Sequence, residues 1–498
     1  MSQFLCANTS LQSLSEPDDG EAACWTWTVR DPRTGERNQV FTAPPRKELP
    51  SMAKALRRNQ AAWSAGGLEA RIGTLKALAA ALASPADVAA LHAALSKDTG
   101  RARIAFTEID SVVRSIHAWC AIAPGLTPSG WSRGRTMPHI RHRSRFVPYA
   151  LVTVVAPWNF PLLLSMIDTL PALLAGCAVW IKPSEVTPRF IEPLRQIIAA
   201  IPELAGILNI VPGDGRTAAG MIELGDCVCF TGSVATGKKV ALQAAARFIP
   251  AFLELGGKDP LIVLEGADLD AATDSALRGS VLATGQACQS IERIYVARAI
   301  HDQFTARLVE KARAVRFNYP AIGAGDIGPI IFETQASILA AQIADARAQG
   351  ALVLTGGQIE THGGGLWLAP TVITQVTHGM KVMMDESFGP ILPVMAFDSV
   401  EQAVELANDS QFGLSAAVFG PRIEECEVIA GCLEAGAVSI NDAALTALFH
   451  EAGKQSFRCS GLGPSRMGAE GYTRFMRRQA LIVNEAAPLP LHAFREEG

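Results

Sequence analysis

The stretch "TGQACQSIERI", Thr284 to Ile294, sets one cysteine, Cys288, among small and polar residues. Gly285, Gln286 and Ala287 leave the backbone before it open to a ligand. Structural cysteines sit inside apolar runs, as Cys177 does; a reactive thiol needs exposure and a stabilised thiolate. Cys288 is therefore a candidate nucleophile among the ten cysteines of the chain. "LELGGKDP" places Glu254 at the end of an apolar strand, before two glycines that let the backbone turn sharply. A half-buried carboxylate there suits general-base work, because desolvation disfavours its charged form. The plainer alternative is an ion-paired glutamate at a strand end. "APWNFP", residues 156–161, sets Asn159 between Trp158 and Phe160. Its side-chain N–H₂ can stabilise a developing oxyanion, or can merely cap the following helix.

Two further motifs point to a phosphate-bearing ligand. In "FTGSVATGKK" a strand runs into Gly232 and Ser233 and then a helix, whose first N–H groups attract anions. Gly-Ser is also an ordinary helix entry, and the run is not the G-x-G-x-x-G of common dinucleotide folds. "IKPSE" puts Lys182 and Glu185 at the carboxyl end of a strand, where open α/β sheets bind ligands. These two could bond ribose hydroxyls, or form a solvated charged loop.

The 498 residues exceed what one core supports, so two or three domains are expected. Hydrophobic residues make up 49% and charged residues 18%, an ordinary globular composition. A net charge of −4 with no basic run argues against nucleic acid or anionic membrane as the main partner. No stretch reads as a membrane span. The best apolar candidate, from Pro161, carries two prolines and Asp168 and reads as a buried helix running into a strand. The scattered cysteines fit reduced thiols. Cys227 and Cys229 lack a second Cys/His pair at zinc spacing, so no metal is expected. The N-terminus, residues 1–23, is acidic, without a basic or apolar leader. It reads as a partly disordered extension on a cytoplasmic protein.

The chemistry must be positioned by alternating elements. Residues 51–119 read as helices with a break at Pro85. From residue 146, strands "LVTVVAP", "AVWIKP", "GILNIVPG", "CVCFTGS" and "AFLEL" alternate with helices. A second series from residue 260 includes "PLIVLE", a helix over 269–283, "RIYVAR", helices from His301 and Thr334, "LVLTGG" and "LSAAVFG". Such alternation indicates parallel sheets covered on both faces.

"PWNFP", "IKPSE", "FTGS", "LELGGKDP", "GQACQSIER" and "ESFGP" occur in the order found in the NAD(P)-dependent aldehyde dehydrogenases, with Cys288 34 positions after Glu254 as in that family. The chain resembles that family from Arg30 to about Asn484. The resemblance implies an α/β fold of two parallel domains, a Rossmann-like cofactor domain (24–129 and 149–255) and a catalytic domain (256–450). A β-bridging oligomerisation element (130–148 and 471–486) would make a homodimer or homotetramer. It makes Cys288 the nucleophile, Glu254 the base and Asn159 the oxyanion donor. Lys182 and Glu185 would hold the adenosine ribose. Gly232 and Ser233 would face the pyrophosphate, Glu386 the nicotinamide ribose, with Phe388 beside the ring and Trp158 lining the cleft. NAD is expected, with NADP open. The thiolate would add to an aldehyde, the adduct would pass hydride to the nicotinamide, and water activated by Glu254 would hydrolyse the thioester.

The helix after "PWNFP" would line the substrate tunnel with Phe160, Leu163, Leu164 and Ile167, or pack some of them in the core. An apolar tunnel favours a medium-size aliphatic or aromatic aldehyde. The family's "PFGG-x-K-x-SG" stretch is replaced here by "HEAGKQSFRCSGLGPSRMG", His450 to Gly468, which could bring Arg458 or another cation to the mouth. Smaller departures are Ala150, Cys177 and Asp168, the last where a basic residue is usual. Two other readings stay open: a CoA-acylating enzyme, disfavoured because that type generally lacks the base at the Glu254 position, and a catalytically idle protein on the same scaffold.

Overall fold

The apolar runs that alternate with helices form two mainly parallel sheets, each with one antiparallel edge strand, in the computed structural model, which describes residues 24–127 and 130–496. The expected N-terminal extension lies outside the described residues. In the first sheet the strands run in the spatial order Gly461–Leu462, Ala251–Glu254, Cys227–Thr231, Leu151–Val155, Ala178–Lys182 and Leu208–Ile210. All pairings are parallel except that of Gly461–Leu462, which is antiparallel to the strand of Glu254. The chain moves outward from Leu151–Val155 on one side and then returns to its other side. The strand order therefore reverses beside that strand, where α/β sheets open a ligand crevice. Leu151–Val155 is wholly buried, as expected of a strand covered on both faces.

The second sheet has seven strands, ordered Leu352–Val353, Thr371–Thr374, Ile391–Phe397, Ile291–Ala297, Asp259–Val263, Ser415–Phe419 and Ala437–Ile440. Residues 51–119 are helical as expected, in the helices Leu49–Ala65, Gly67–Leu82, Pro85–Thr99 and Ala102–Ile122. Pro85 opens the third of these, with Ser84 accepting from the Asp87 N–H at 3.3 Å. The leucines of the second and third helices, Leu75, Leu78, Leu82, Leu91 and Leu95, are buried in the core beneath the first sheet. Among the described residues no single helix is long and apolar enough to cross a membrane. A third, three-stranded sheet pairs Met476–Asn484 with Ile140–Pro148 over nine residues, with Ser132–Arg133 outside it.

The helix expected over 269–283 spans Leu269–Val281. Beyond it Ala283, Thr284 and Gly285 take left-handed φ values of 57°, 62° and 67°. Two of the three carry a Cβ, so this turn is held by its surroundings rather than by local preference.

Candidate active site

Three carboxyl ends of elements meet at one cavity, lined by Asn159, Glu254 and Cys288 among others. Cys288 is half-buried on the loop that follows the left-handed turn. That loop is fastened on several sides. The Thr284 hydroxyl donates to the Gly328 carbonyl at 3.0 Å, and the Gln286 amide donates to the Pro329 carbonyl at 3.1 Å and accepts from the Ile331 N–H at 2.9 Å. A Cβ at residue 285 would run into the Gly389 backbone, which with its positive φ explains the glycine. Burial pushes the Cys288 thiol up to about 12; Lys454 opposes this, while Glu254 and Asp259 add to it.

Asn159 follows the strand Leu151–Val155 and is buried. Its Nδ2 donates to the Gln286 carbonyl at 2.9 Å. The reversed amide would set oxygen against oxygen there, so the bond fixes the orientation. One hydrogen of the amide serves Gln286, and the other has no partner among the described residues. Asn159 does not cap the helix Pro161–Ala175. Glu108 does, accepting from the Leu162 and Leu163 N–H groups at 3.0 and 3.1 Å. Burial raises the Glu108 carboxyl to about 7.

Arg101 was silent in the sequence. Its buried guanidinium donates to the Asn159 carbonyl and, at 3.1 Å, to the Ala283 carbonyl, joining the two loops that carry Asn159 and Cys288. Glu254 is both ion-paired and on the cavity wall. Ser456 Oγ donates to its Oε2 at 3.1 Å, and Lys454 Nζ lies 3.6 Å from the same oxygen.

Of the residues read as cofactor-binding, Trp158, Gly232, Ser233, Glu386 and Phe388 line the same cavity, and Lys182 and Glu185 stand outside its lining. Lys182 Nζ donates to Glu185 Oε2 at 2.9 Å at the end of its strand, with Lys182 buried and Glu185 partly exposed. Ser233 caps the helix Val234–Ala246, accepting from the Thr236 N–H at 3.3 Å, and with Gly232 it also lines the cavity. Glu386 accepts from the Gly257 N–H at 3.2 Å, and a Cβ at residue 256 would meet its carboxylate oxygens at 2.5 Å. Burial, then the nearby Glu292, raise the Glu386 carboxyl to about 8. Phe388 has a positive φ of 53° and packs edge-on against Trp158, with ring centroids 5.3 Å apart. Glu292, in the same motif as Cys288, fixes this turn by accepting from the Ser387 and Phe388 N–H groups, both at 2.7 Å. It is in turn paired with the buried Lys258 at 2.9 Å.

Of the expected tunnel residues, Leu164 lines the cavity. Ile167 is half-buried on the same helix, Leu163 packs against the first core, and Phe160 lies beneath the Arg101 guanidinium at 5.2 Å. Arg458 does not approach the mouth, because it bonds the Asn408 and Ser410 carbonyls and pairs with Glu434. Asp168, unusual in the sequence, is buried between Arg466 at 2.8 Å and Arg474. The Cys177 thiol donates to the Phe475 carbonyl at 3.5 Å, and nothing in the structure explains Ala150.

The aldehyde dehydrogenase family model matches residues 21–481. The chain is 38% identical over 346 residues to the Mycolicibacterium smegmatis protein named "Putative succinate-semialdehyde dehydrogenase (NADP+)"; the match spans 69% of this chain and 66% of that one. The solved structure of the Anabaena variabilis "Putative Aldehyde Dehydrogenase PutA" matches with a TM-score of 0.91 at 50% identity, covering 94% of this chain and 99% of that one. Betaine aldehyde dehydrogenase of Staphylococcus aureus, solved in complex with NAD+, matches with a TM-score of 0.87 at 28% identity over 95% of this chain and 94% of that one. The chain belongs to the aldehyde dehydrogenase family.

Proposed function

We propose that this chain oxidises an aldehyde to its carboxylic acid with NAD, through covalent adducts on Cys288. The observation that carries the reading is the single cavity wall shared by Cys288, Asn159 and Glu254. The crevice suits a dinucleotide: a helix N-terminus at Ser233 after Gly232, an ion pair at a strand end, and a glycine at 256 facing Glu386. Lys182 and Glu185 would hold the adenosine ribose, Gly232 and Ser233 the pyrophosphate, and Glu386 the nicotinamide ribose, with Phe388 and Trp158 against the ring. When bound, the nicotinamide supplies a two-electron acceptor.

The chain's own groups do the rest. Cys288 loses its thiol proton to solvent water, and the thiolate sulfur adds to the aldehyde carbon as the carbonyl electron pair moves onto oxygen. The resulting oxyanion rests on the free hydrogen of the Asn159 amide and on the Cys288 N–H. After oxidation a thioester remains on Cys288. Glu254 takes a proton from water, the water oxygen attacks the thioester carbonyl, and the carbon–sulfur bond breaks to release the acid.

The substrate class we infer is a medium-size aliphatic or aromatic aldehyde, supported by Leu164 on the cavity wall and by the apolar Ile167 on the same helix. We also infer a cytoplasmic homodimer or dimer of dimers. Met476–Asn484 is an edge strand with Ile482 exposed, which a second copy could pair and cover. The test is reduced-nicotinamide formation over a panel of aldehydes, with and without CoA. Acid formed without CoA supports the reading. A strict need for CoA would replace it with acyl transfer, and no turnover of any aldehyde would leave an idle scaffold.

A further inference from the structure

The run His450 to Gly468, in which the sequence departs from the family, is laced to the strand of Glu254. Gly461 pairs with Glu254 and Leu462 with Leu253. The Leu255 N–H donates to the Ser460 carbonyl at 2.8 Å, and Ser460 Oγ donates to the Gly256 carbonyl at 2.7 Å. The same run delivers Lys454, whose N–H donates to Ser465 Oγ at 2.9 Å. Lys454 is only 6% exposed, and its Nζ has no hydrogen-bond partner among the described residues. Its one ion pair among them is Glu254.

A buried ammonium with no hydrogen bond is costly, so the fold keeps Lys454 against its local stability interest. The anion that compensates it is the carboxylate of the proposed base. Both contacts from this run, Ser456 and Lys454, fall on Oε2. Oε1 accepts from no described side chain or N–H, which leaves it to receive a proton from water. The other ionisable groups of this corner are Cys288, Asp259 and Arg466. Arg466 is already paired with Asp168, and Asp259 accepts from the Ser415 N–H at 3.2 Å and from its hydroxyl. Lys454 is thus the cation of the corner committed to Glu254.

We propose that Lys454 is a positioning residue for the hydrolytic half of the reaction: with Ser456 it holds Glu254 Oε2 and so presents Oε1 to the attacking water. The inference rests on the proposed function. It predicts that the two half-reactions separate when Lys454 is changed. Aldehyde addition and oxidation occur at Cys288 and Asn159, whereas the water's proton goes to Glu254, its oxygen to the thioester carbon, and the electron pair of the broken bond to the Cys288 sulfur.

The experiment is rapid-mixing kinetics of the full chain with NAD and an aldehyde that the wild type turns over; absence of wild-type turnover would refute the proposed function rather than this inference. For Lys454→Met the burst of reduced nicotinamide should keep its rate while the steady state falls about tenfold or more. Lys454→Arg should recover most of the loss, and Ser456→Ala should show the same split at several-fold. Should Lys454→Met fail to fold, the serine variant decides on its own. Burst and steady state falling together, or an unchanged steady state in the variants, would overturn the proposal. So would a raised KM confined to carboxylate-bearing aldehydes, which would make Lys454 a substrate-binding group.

Discussion

Asn159 Nδ2 donates to the Gln286 carbonyl at 2.9 Å, which fastens the proposed oxyanion donor to the loop of the proposed nucleophile two residues before Cys288. The loops of Asn159 and Cys288 are thereby joined, and Arg101 spans the same pair of loops.

Removing the donor should be felt in kcat. For Asn159→Ala we expect kcat to drop by about 10²–10³, the usual cost of one oxyanion donor. NAD titration by quenching of protein fluorescence should be unchanged, since the proposed cofactor contacts lie elsewhere. A variant with near wild-type kcat would remove Asn159 from the reaction.

Arg101 tests the scaffold behind it. Arg101→Met leaves the Asn159 and Ala283 carbonyls unpaired, at about 1–3 kcal/mol each. We expect a lower thermal midpoint and a slower burst. Arg101→Lys, which offers one point donor in place of a fork, should recover only part of either. A full recovery by lysine would mean that charge rather than geometry matters at this position.

The thiol gives a pH prediction. With Cys288 pushed up to about 12, its thiolate is a small minority in the free enzyme at neutral pH. Because the thiolate is the reactive form, iodoacetamide labelling without cofactor should accelerate about tenfold per pH unit from 7 to 9, without a plateau. A plateau near 7 would show a thiolate already stabilised before any ligand binds.

Much of this arrangement was legible because it rests on local patterns. Each strand of the first sheet up to Ala251–Glu254 is a short apolar run bounded by turn residues. The crevice motifs sit at their carboxyl ends, where the fold puts ligands. Ile391–Phe397 was hidden by Pro393, since proline usually argues against a central strand. The left-handed turn at Ala283 and Thr284 was illegible for a different reason. It is imposed by Arg101 and by the Gly328 carbonyl, far away in the sequence. Buried ion pairs were equally silent: Asp168 and Arg466 stand 298 residues apart, and a lone charged residue in a sequence does not announce its partner. The same holds for Lys454, whose meaning comes from Glu254.

Cofactor choice follows from Glu185. Its carboxylate already bonds Lys182 at 2.9 Å and would repel a 2′-phosphate placed on the same ribose. We expect a higher kcat/KM with NAD than with NADP, and for Glu185→Gln a narrowing of that gap. Equal values for the wild type would show that Glu185 turns away and leaves Lys182 to the phosphate.

The substrate prediction turns on the helix Pro161–Ala175. Among its residues only Leu163, Leu164 and Ile167 are not buried, and Leu164 reaches the cavity. Arg466 and Arg474, the cations paired to this helix, are both tied to Asp168, and Arg458 is turned away to Glu434. A substrate carboxylate lying against Leu164 or Ile167 would therefore be desolvated without a partner, which is strongly penalised. An apolar chain gains about 0.8 kcal/mol, or roughly fourfold in kcat/KM, for each methylene buried there. Hexanal and benzaldehyde should consequently surpass succinate semialdehyde at saturating NAD, although the Mycolicibacterium smegmatis relative carries the semialdehyde's name. Ile167→Arg should narrow the difference by supplying the missing cation. If the unmodified enzyme prefers the semialdehyde, its carboxylate is read by a group off this helix, and Lys454 is the first place to look.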